Sequence, residues 1–299
     1  MALLFLRGRC LFVVLFSFVL LVVMALIATR HKDVSSVLDY QPYVRFFLPD
    51  ESVNVKIDWK TVNINSLTPE QIIEYLMWTN QTSCKLSHDF GGKMLKNPSG
   101  FDGQKAVCLD TEVAPKAGSC IVYSFGINNE WSFDEAMESY GCKVFAFDPS
   151  MNTGNHQHSL GVTFYNFGLS GKDEVDMRGW DLKTLSSIYS VLKEKNQHAD
   201  VNIDYLKIDI ESAEWEVIPD IIRSGMLAKV RQLGVEFHLS RNTDLYDFYW
   251  KFDIIKSIED AGMIRFDSKY NPWFKGKMPA MNNITESLGY EIAWYQILP

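Results

Sequence analysis

The sequence predicts an α/β fold built on a doubly wound, mostly parallel sheet with helices on both faces. Two observations carry this. Short apolar runs rich in Val, Ile, Phe and Tyr recur between residues 120 and 297, separated by stretches with helical spacing. Several of these runs end in glycine or a polar residue, the usual boundary between a buried strand and the turn that follows it. Strand–helix alternation over about 180 residues makes consecutive strands parallel and covers both sheet faces.

Residues 10–28 form a run of 19 residues without a charge, flanked by Arg7 and Arg9 before it and by Arg30, His31 and Lys32 after it. At about 1.5 Å rise per residue such a run spans a bilayer core. It is read as an uncleaved signal anchor, a transmembrane helix with residues 1–9 as a short cytosolic tail. A cleaved signal peptide would have an apolar region of about 7–15 residues and an A-x-A-like site. Residues 29–67 read as a stem. Thr68-Pro69-Glu70-Gln71 opens a helix with a capping box and Pro at the first helical position. Residues 83–119 are rich in Gly, Lys and Pro and are expected to be a loop-rich lead-in. With the preceding helix they form an extension over 68–119.

The catalytic domain is expected over 120–299. Its strands are placed at 120–125, 143–147, 162–167, 205–210, 232–237 and 263–267, with a last one in the tail at 290–297. Helices are expected at 132–140, with Ser132 as cap, and at 182–195, 214–223 and 246–261. The second of these sets Leu185, Ile188, Tyr189 and Leu192 on one face.

The chain has 299 residues, 47% of them hydrophobic, and a net charge of −8. No basic cluster stands out beyond the flanks of the apolar run. Nucleic-acid binding is therefore disfavoured, since neutralising phosphates requires a basic face. Asn80-Gln81-Thr82 and Asn283-Ile284-Thr285 are glycosylation sequons, expected to be used if the body is luminal. Cys84, Cys108, Cys120 and Cys142 lie beyond the anchor; they allow two disulfides in any of three pairings, or buried thiols.

In an open α/β sheet, ligands bind beyond the carboxyl ends of the strands. The residues there are Ser124 and Gly126, Asp148, Gly168-Leu169-Ser170, Asp209-Ile210-Glu211-Ser212 and Glu236-Phe237-His238. Strand, glycine turn, helix and strand, with an acid 22 residues after Gly126, is the layout of a nucleoside half-site. Asp209 closes an apolar strand, where an acid needs a partner or a cleft. Glu211 and Glu214 suit the N-terminus of the next helix. His238 is a candidate general base. No metal is expected.

These residues also carry a family resemblance. Cys120-Ile121-Val122-Tyr123-Ser124-Phe125-Gly126, then residues 131–137, Gly141-Cys142 and Phe147-Asp148-Pro149-Ser150-Met151 resemble the methyltransferase-like protein 24 family. Phe90-Gly91-Gly92, Asp102-Gly103-Gln104-Lys105 and Cys108 fit it too. The block Asp204-Tyr205-Leu206-Lys207-Ile208-Asp209-Ile210-Glu211-Ser212-Ala213-Glu214 is similar to the wider FkbM-type methyltransferases, with Ser212 where glycine is usual. The resemblance covers roughly residues 84–297 and implies a seven-stranded, Rossmann-like class I methyltransferase fold binding S-adenosyl-L-methionine. By position, it implies that Ser124, Gly126 and Asn128 border the methionine part and that Asp148 holds the ribose hydroxyls. Leu169 and Ser170 would lie near adenine, and Asp209 would face the methyl group and the acceptor.

The expected protein is a membrane-anchored methyltransferase of the secretory pathway with a luminal domain. The acceptor is a small molecule, glycan or protein, methylated at oxygen rather than nitrogen. Two other readings stand beside it. One keeps the fold as an inactive interaction module, suggested by the single-glycine turn and Ser212. The other is a luminal glycosyltransferase using Asp209 and Glu211 as a metal-binding pair.

Overall fold

The computed structural model describes residues 57–298 except 81, 97, 98, 196, 273 and 274. The expected tail and anchor, most of the stem and part of the first sequon lie outside the described residues. Among the described residues no helix is long and apolar enough to cross a membrane.

The central sheet has eight strands among the described residues. They are β1 (Ile121–Phe125), β2 (Lys143–Phe147), β3 (His156–Gln157), β4 (Val162–Tyr165), β5 (Ile203–Ile208), β6 (Val230–His238), β7 (Ile264–Tyr270) and β8 (Gly289–Tyr295). Their order is β7-β8-β6-β5-β1-β2-β4-β3. The five inner strands β6-β5-β1-β2-β4 are parallel. β8 runs antiparallel to both of its neighbours, and β3 is antiparallel to β4. The sheet is therefore mixed, with a parallel heart and antiparallel margins. No helix lies between β7 and β8, only a hairpin of Lys275–Met278 with Ile284–Ser287. Parallel neighbours need a long crossover, so a strand that returns without one pairs antiparallel.

Among the described residues five α-helices accompany the sheet: α1 (Pro69–Met77), α2 (Ser132–Tyr140), α3 (Leu185–Glu194), α4 (Glu214–Arg223) and α5 (Leu245–Asp260). The capping box of α1 forms between Thr68 and Gln71. α1 is tied down by Arg265, which is buried and donates to the Tyr75 carbonyl at 2.6 Å. Ser132 is not the cap of α2. Trp131 holds that position, and Ser132 instead bonds Glu130 through its N–H and hydroxyl.

Side chains alternate across a strand, so register sorts them by face. One face carries Tyr123 and Phe125 of β1 with Phe145 and Phe147 of β2, an aromatic layer in which Phe125 stacks on Phe147 at 4.6 Å. The opposite face carries Val122, Val144, Ala146, Val162, Phe164 and Tyr205, which pack with Phe133 and Met137 of α2. Toward the carboxyl ends this second face turns polar.

The expected lead-in loop is more structured than the sequence suggests. Ser87–Phe90 pairs antiparallel with Lys105–Cys108, and a hairpin of Lys93–Lys96 with Ser99–Asp102 lies between them. These strands have four residues each, too short for periodicity to register. Lys105–Cys108 is buried throughout. It is held against the polar face by the Tyr205 hydroxyl, which donates to the Ala106 carbonyl at 2.9 Å. The Gln232 side chain adds bonds to the Cys108 N–H and carbonyl, each at 2.8 Å. The four cysteines form two bridges, Cys84–Cys108 and Cys120–Cys142.

Candidate active site

Sheet order reverses between β1 and β5: β2 follows β1 on one side, and β5 is its neighbour on the other. Strand ends at such a switch point open a crevice. Ser124, Gly126 and Asp209 meet there. The Gly126 N–H donates to the Phe147 carbonyl at 3.0 Å, and the Asp209 N–H to Phe125 at 3.2 Å. Gly126 has φ of +79°, and a Cβ on it would lie 1.6 Å from the Asp209 carbonyl oxygen. The close approach that requires glycine is therefore made by the chain's own backbone, where the sequence suggested a ligand.

Below this turn lies a sealed polar group. Ser124 Oγ and both carboxylate oxygens of Asp134 on α2 are buried without a hydrogen bond of ordinary geometry. Burial pushes the Asp134 carboxyl up to about 6, against the nearby Lys207 charge and the Ser124 hydroxyl. Lys207 donates to the Gly126 carbonyl at 2.7 Å, which fixes the turn from beneath.

Asp148 sits next to the turn but is fully engaged. One oxygen accepts the N–H groups of Ile127 at 2.9 Å and Asn128 at 2.8 Å. The other accepts the Ser150 N–H at 2.8 Å and hydroxyl at 2.6 Å. These four bonds occupy the usual capacity of a carboxylate. In this structure Asp148 braces the turn, and its ribose role would need some of these bonds to be exchanged. The loop holding Leu169 and Ser170 lies alongside: a Cβ on Gly168 would lie 2.9 Å from Cγ of Pro149, the residue after Asp148. Leu169 and Ser170 are themselves buried.

The densest chemistry lies at the ends of β5, β6 and β8. Glu236 and Glu291 are cross-strand partners on the polar face. Between them and Asp209 sits the Lys105 ammonium, with its side chain 1% exposed. Its Nζ lies 2.5 Å from Glu291, 3.5 Å from Asp209 and 3.7 Å from Glu236. Burial alone would push Lys105 down, but Glu291, Asp209 and Glu236 together hold it well above its ordinary value. Burial and the neighbouring Glu236 drive the Glu291 carboxyl up, while Lys105 draws Glu236 down. Two carboxyls that share a buried site do not both ionise freely.

His238 closes the cluster. Its Nδ1 lies 3.0 Å from Glu214 Oε1, and its Nε2 lies 3.7 Å from Glu236 Oε1. Burial would lower its pKa; Glu214, then Glu236 and Asp209, outweigh this and raise it to about 9. In this structure His238 therefore holds a proton at neutral pH, where a base would need to be free of it. Glu214, expected to serve the helix N-terminus, is fully buried. It accepts the Ile210 N–H at 3.1 Å and also orients His238. Burial pushes its carboxyl up while His238 opposes that.

The ligand atoms of Asp209, Glu236 and His238 lie within 4.8 Å of one another. Glu211, the expected partner of Asp209 in a metal pair, has an 82% exposed side chain, and its carboxylate lies 3.8 Å from His238 Nε2 at the rim of the cluster. Glu211 and Ser212 both adopt left-handed backbone, with φ of +54° and +81°. That conformation explains the usual glycine at 212.

Sequence reasoning brought Ser124, Gly126, Asp209 and His238 to the right strand ends. It gave no role to Lys105, Lys207, Asp134 or Glu291. The alternation Gln232, Gly234, Glu236, His238 against Leu233, Val235, Phe237 was the available signal for one polar face on β6.

The family described as "Methyltransferase domain" matches residues 77–284, well over half of the chain. The human protein "Probable methyltransferase-like protein 24" is 26% identical over 205 residues, which is 66% of this chain and 52% of the human one. The rat protein of the same name is 29% identical over 140 residues, 44% of this chain and 38% of its own. The chain thus spans about half the length of its human relative. Among solved structures, a SAM-dependent methyltransferase from Agrobacterium tumefaciens aligns with a TM-score of 0.35 and 10% identity, over 62% of this chain and 57% of that one. From the extent of the family match, this chain belongs to the methyltransferase-domain family.

Proposed function

We propose that the protein is an S-adenosylmethionine-dependent methyltransferase, tethered to a membrane by residues 10–28, that methylates an oxygen rather than a nitrogen of its acceptor. The carrying observation is the meeting of Ser124, the Gly126 turn, Asp209 and His238 where β1, β5 and β6 end. The residues present suit the cofactor in two respects. Ser124 Oγ is a buried polar atom beside the turn, with the Asp134 carboxyl as its polar neighbour. Asp209 lies 3.5 Å from Lys105 and 3.8 Å from Lys207 and keeps 21% of its side chain exposed, so part of its carboxylate remains open to a ligand.

The cofactor supplies an electrophilic methyl carbon. The chain's part is to align the acceptor and remove its proton. Asp209 lies on the acceptor side of the turn, and Glu214 fixes the ring of His238. Because His238 is protonated below about pH 9, its service as a base increases as pH rises toward that value.

Calorimetric titration of the full chain with S-adenosylmethionine tests the proposal, with S-adenosylhomocysteine as the second ligand. Saturable binding that Asp209→Asn weakens supports it. Absence of binding by a folded chain favours the second reading, an inactive interaction module. The four bonds already held by Asp148 are the observation on that side.

A luminal domain is part of the proposal. Two disulfides are what an oxidising compartment favours, and Asn283 of the second sequon is exposed. Endoglycosidase sensitivity of the expressed protein is expected; resistance together with reduced cysteines would place the domain on the cytosolic side.

A further inference from the structure

We propose that Lys105 is the built-in cation of this site, a positioning residue standing where a divalent ion would otherwise join Asp209, Glu236 and His238. The inference rests on geometry and would hold for an active enzyme or an inactive module alike.

Three observations carry it. First, Asp209, Glu236 and His238 present ligand atoms within 4.8 Å of one another, a donor set suited to a hard or borderline divalent ion. Second, the Lys105 ammonium already lies against two of the three, 3.5 Å from Asp209 and 3.7 Å from Glu236, and it also bonds Glu291 at 2.5 Å. Its side chain is 1% exposed, so its partners here are carboxylates and not water. Third, the placement is enforced. Lys105 comes from a strand outside the central sheet, whose next residue, Ala106, accepts the buried Tyr205 hydroxyl. Three residues on, Cys108 is clamped by Gln232 and bridged to Cys84. Gly234 makes room for this clamp, since a Cβ there would lie 2.1 Å from the Tyr205 hydroxyl.

Carboxylates crowded at the end of a sheet repel one another and are costly to bury without a counter-charge. A fixed ammonium meets that need without exchange with solvent, and it keeps Asp209 and Glu236 converged. The cost is versatility, because a lysine can neither leave nor coordinate an acceptor oxygen as an ion could. Lys105 therefore sets the shape and charge of the acceptor side, and the extension at 84–108 is a working part of the site.

The test uses the full chain and Mn²⁺ alone, followed by calorimetry and electron paramagnetic resonance. The wild-type chain is expected to show no saturable Mn²⁺ site. Lys105→Ala is expected to gain one, which the further change Asp209→Asn removes. Lys105→Gln, which keeps most of the stem without the charge, should gain the site too and serves if Lys105→Ala fails to fold. Saturable Mn²⁺ binding by the wild type that depends on Asp209 overturns the proposal. So does a folded Lys105→Ala or Lys105→Gln chain that binds no Mn²⁺. If neither variant folds, the wild-type titration decides: silence supports the proposal and Asp209-dependent binding overturns it. S-adenosylmethionine titration of the same samples separates this outcome from the methyltransferase proposal, since Mn²⁺ binding and cofactor binding are read independently.

Discussion

Replacing Asp148 with alanine should destabilise the protein as well as disturb any ribose contact. Four hydrogen bonds end on this carboxylate. The Ile127 N–H belongs to a residue only 1% exposed, so losing its acceptor leaves a buried donor unsatisfied at a cost of about 1–3 kcal/mol. The Ser150 N–H is capped by Asp148 at the start of a short 3₁₀ turn, and a lost cap costs about 1 kcal/mol. The Asn128 bond lies nearer solvent and adds less. The sum is about 3 kcal/mol, or a fall in melting temperature of about 6–12 °C for a domain of this size. Asp148→Asn keeps one oxygen acceptor and should lose roughly half as much. Thermal and urea denaturation of the two variants reads this directly. An Asp148→Ala chain that melts within about 2 °C of wild type would refute the bracing role. Loss of cofactor binding counts for a ribose contact only in Asp148→Asn, and only at a temperature where that variant is folded.

Ser212→Gly should stabilise the protein by about 1 kcal/mol by relieving left-handed backbone at φ of +81°, with a higher urea midpoint as readout; a lower midpoint would show that the serine side chain contributes more than the strain costs. His238 has a folded pKa raised from 6.5 to about 9, so its contribution is fully present below pH 6.5 and disappears as pH rises through 9. Wild type should therefore lose up to about 3 kcal/mol over that window relative to His238→Gln, and parallel stability profiles of the two would count against the charged pair with Glu214. Replacing both Cys84 and Cys108 with serine opens a loop with a separation of 24 residues. The expected loss is about 3 kcal/mol by chain entropy, measured by urea denaturation against the intact protein. Unchanged stability would mean that the Gln232 clamp alone holds the strand.

Sequence reasoning worked where hydrophobic pattern and punctuation agreed. The limits of β2, α2 and α4 fall where the apolar runs and their bounding Gly, Asp and Ser residues put them. Strand direction at the margin was not legible, because β8 reads as apolar whichever way it runs. Its direction depends on the helix-free connection from β7. Glu236 and Glu291 are far apart in sequence and become neighbours only once that antiparallel register is known. Lys105 was hidden for a related reason. It lies in a four-residue strand inside a segment whose glycines and lysines look like loop, and a lysine there reads as solvated until burial is seen. For Gly126 the need for a glycine was legible, but the close neighbour it accommodates is the Asp209 carbonyl.

One face of the sheet explains why a domain boundary drawn at residue 120 would miss part of the site. On β1 and β2 that face is apolar toward the amino ends, with Val122 and Val144, and α2 covers it with Phe133 and Met137. Near the carboxyl ends the same face presents Glu236, Glu291 and Asp209, and an apolar cover there would leave buried charges without partners. The cover must bring a cation and hydrogen-bonding groups of its own. The strand Lys105–Cys108 does both: Lys105 meets the carboxylates, and the backbone of Ala106 and Cys108 meets Tyr205 and Gln232. The change of cover thus runs across the sheet: α2 lies over β1, β2 and β4 and brings Asp134 beside Ser124 and Lys207, while the strand Lys105–Cys108 lies over β5, β6 and β8. The extension before residue 120 is required by the chemistry of the strand ends, and the site and the fold are completed by the same residues.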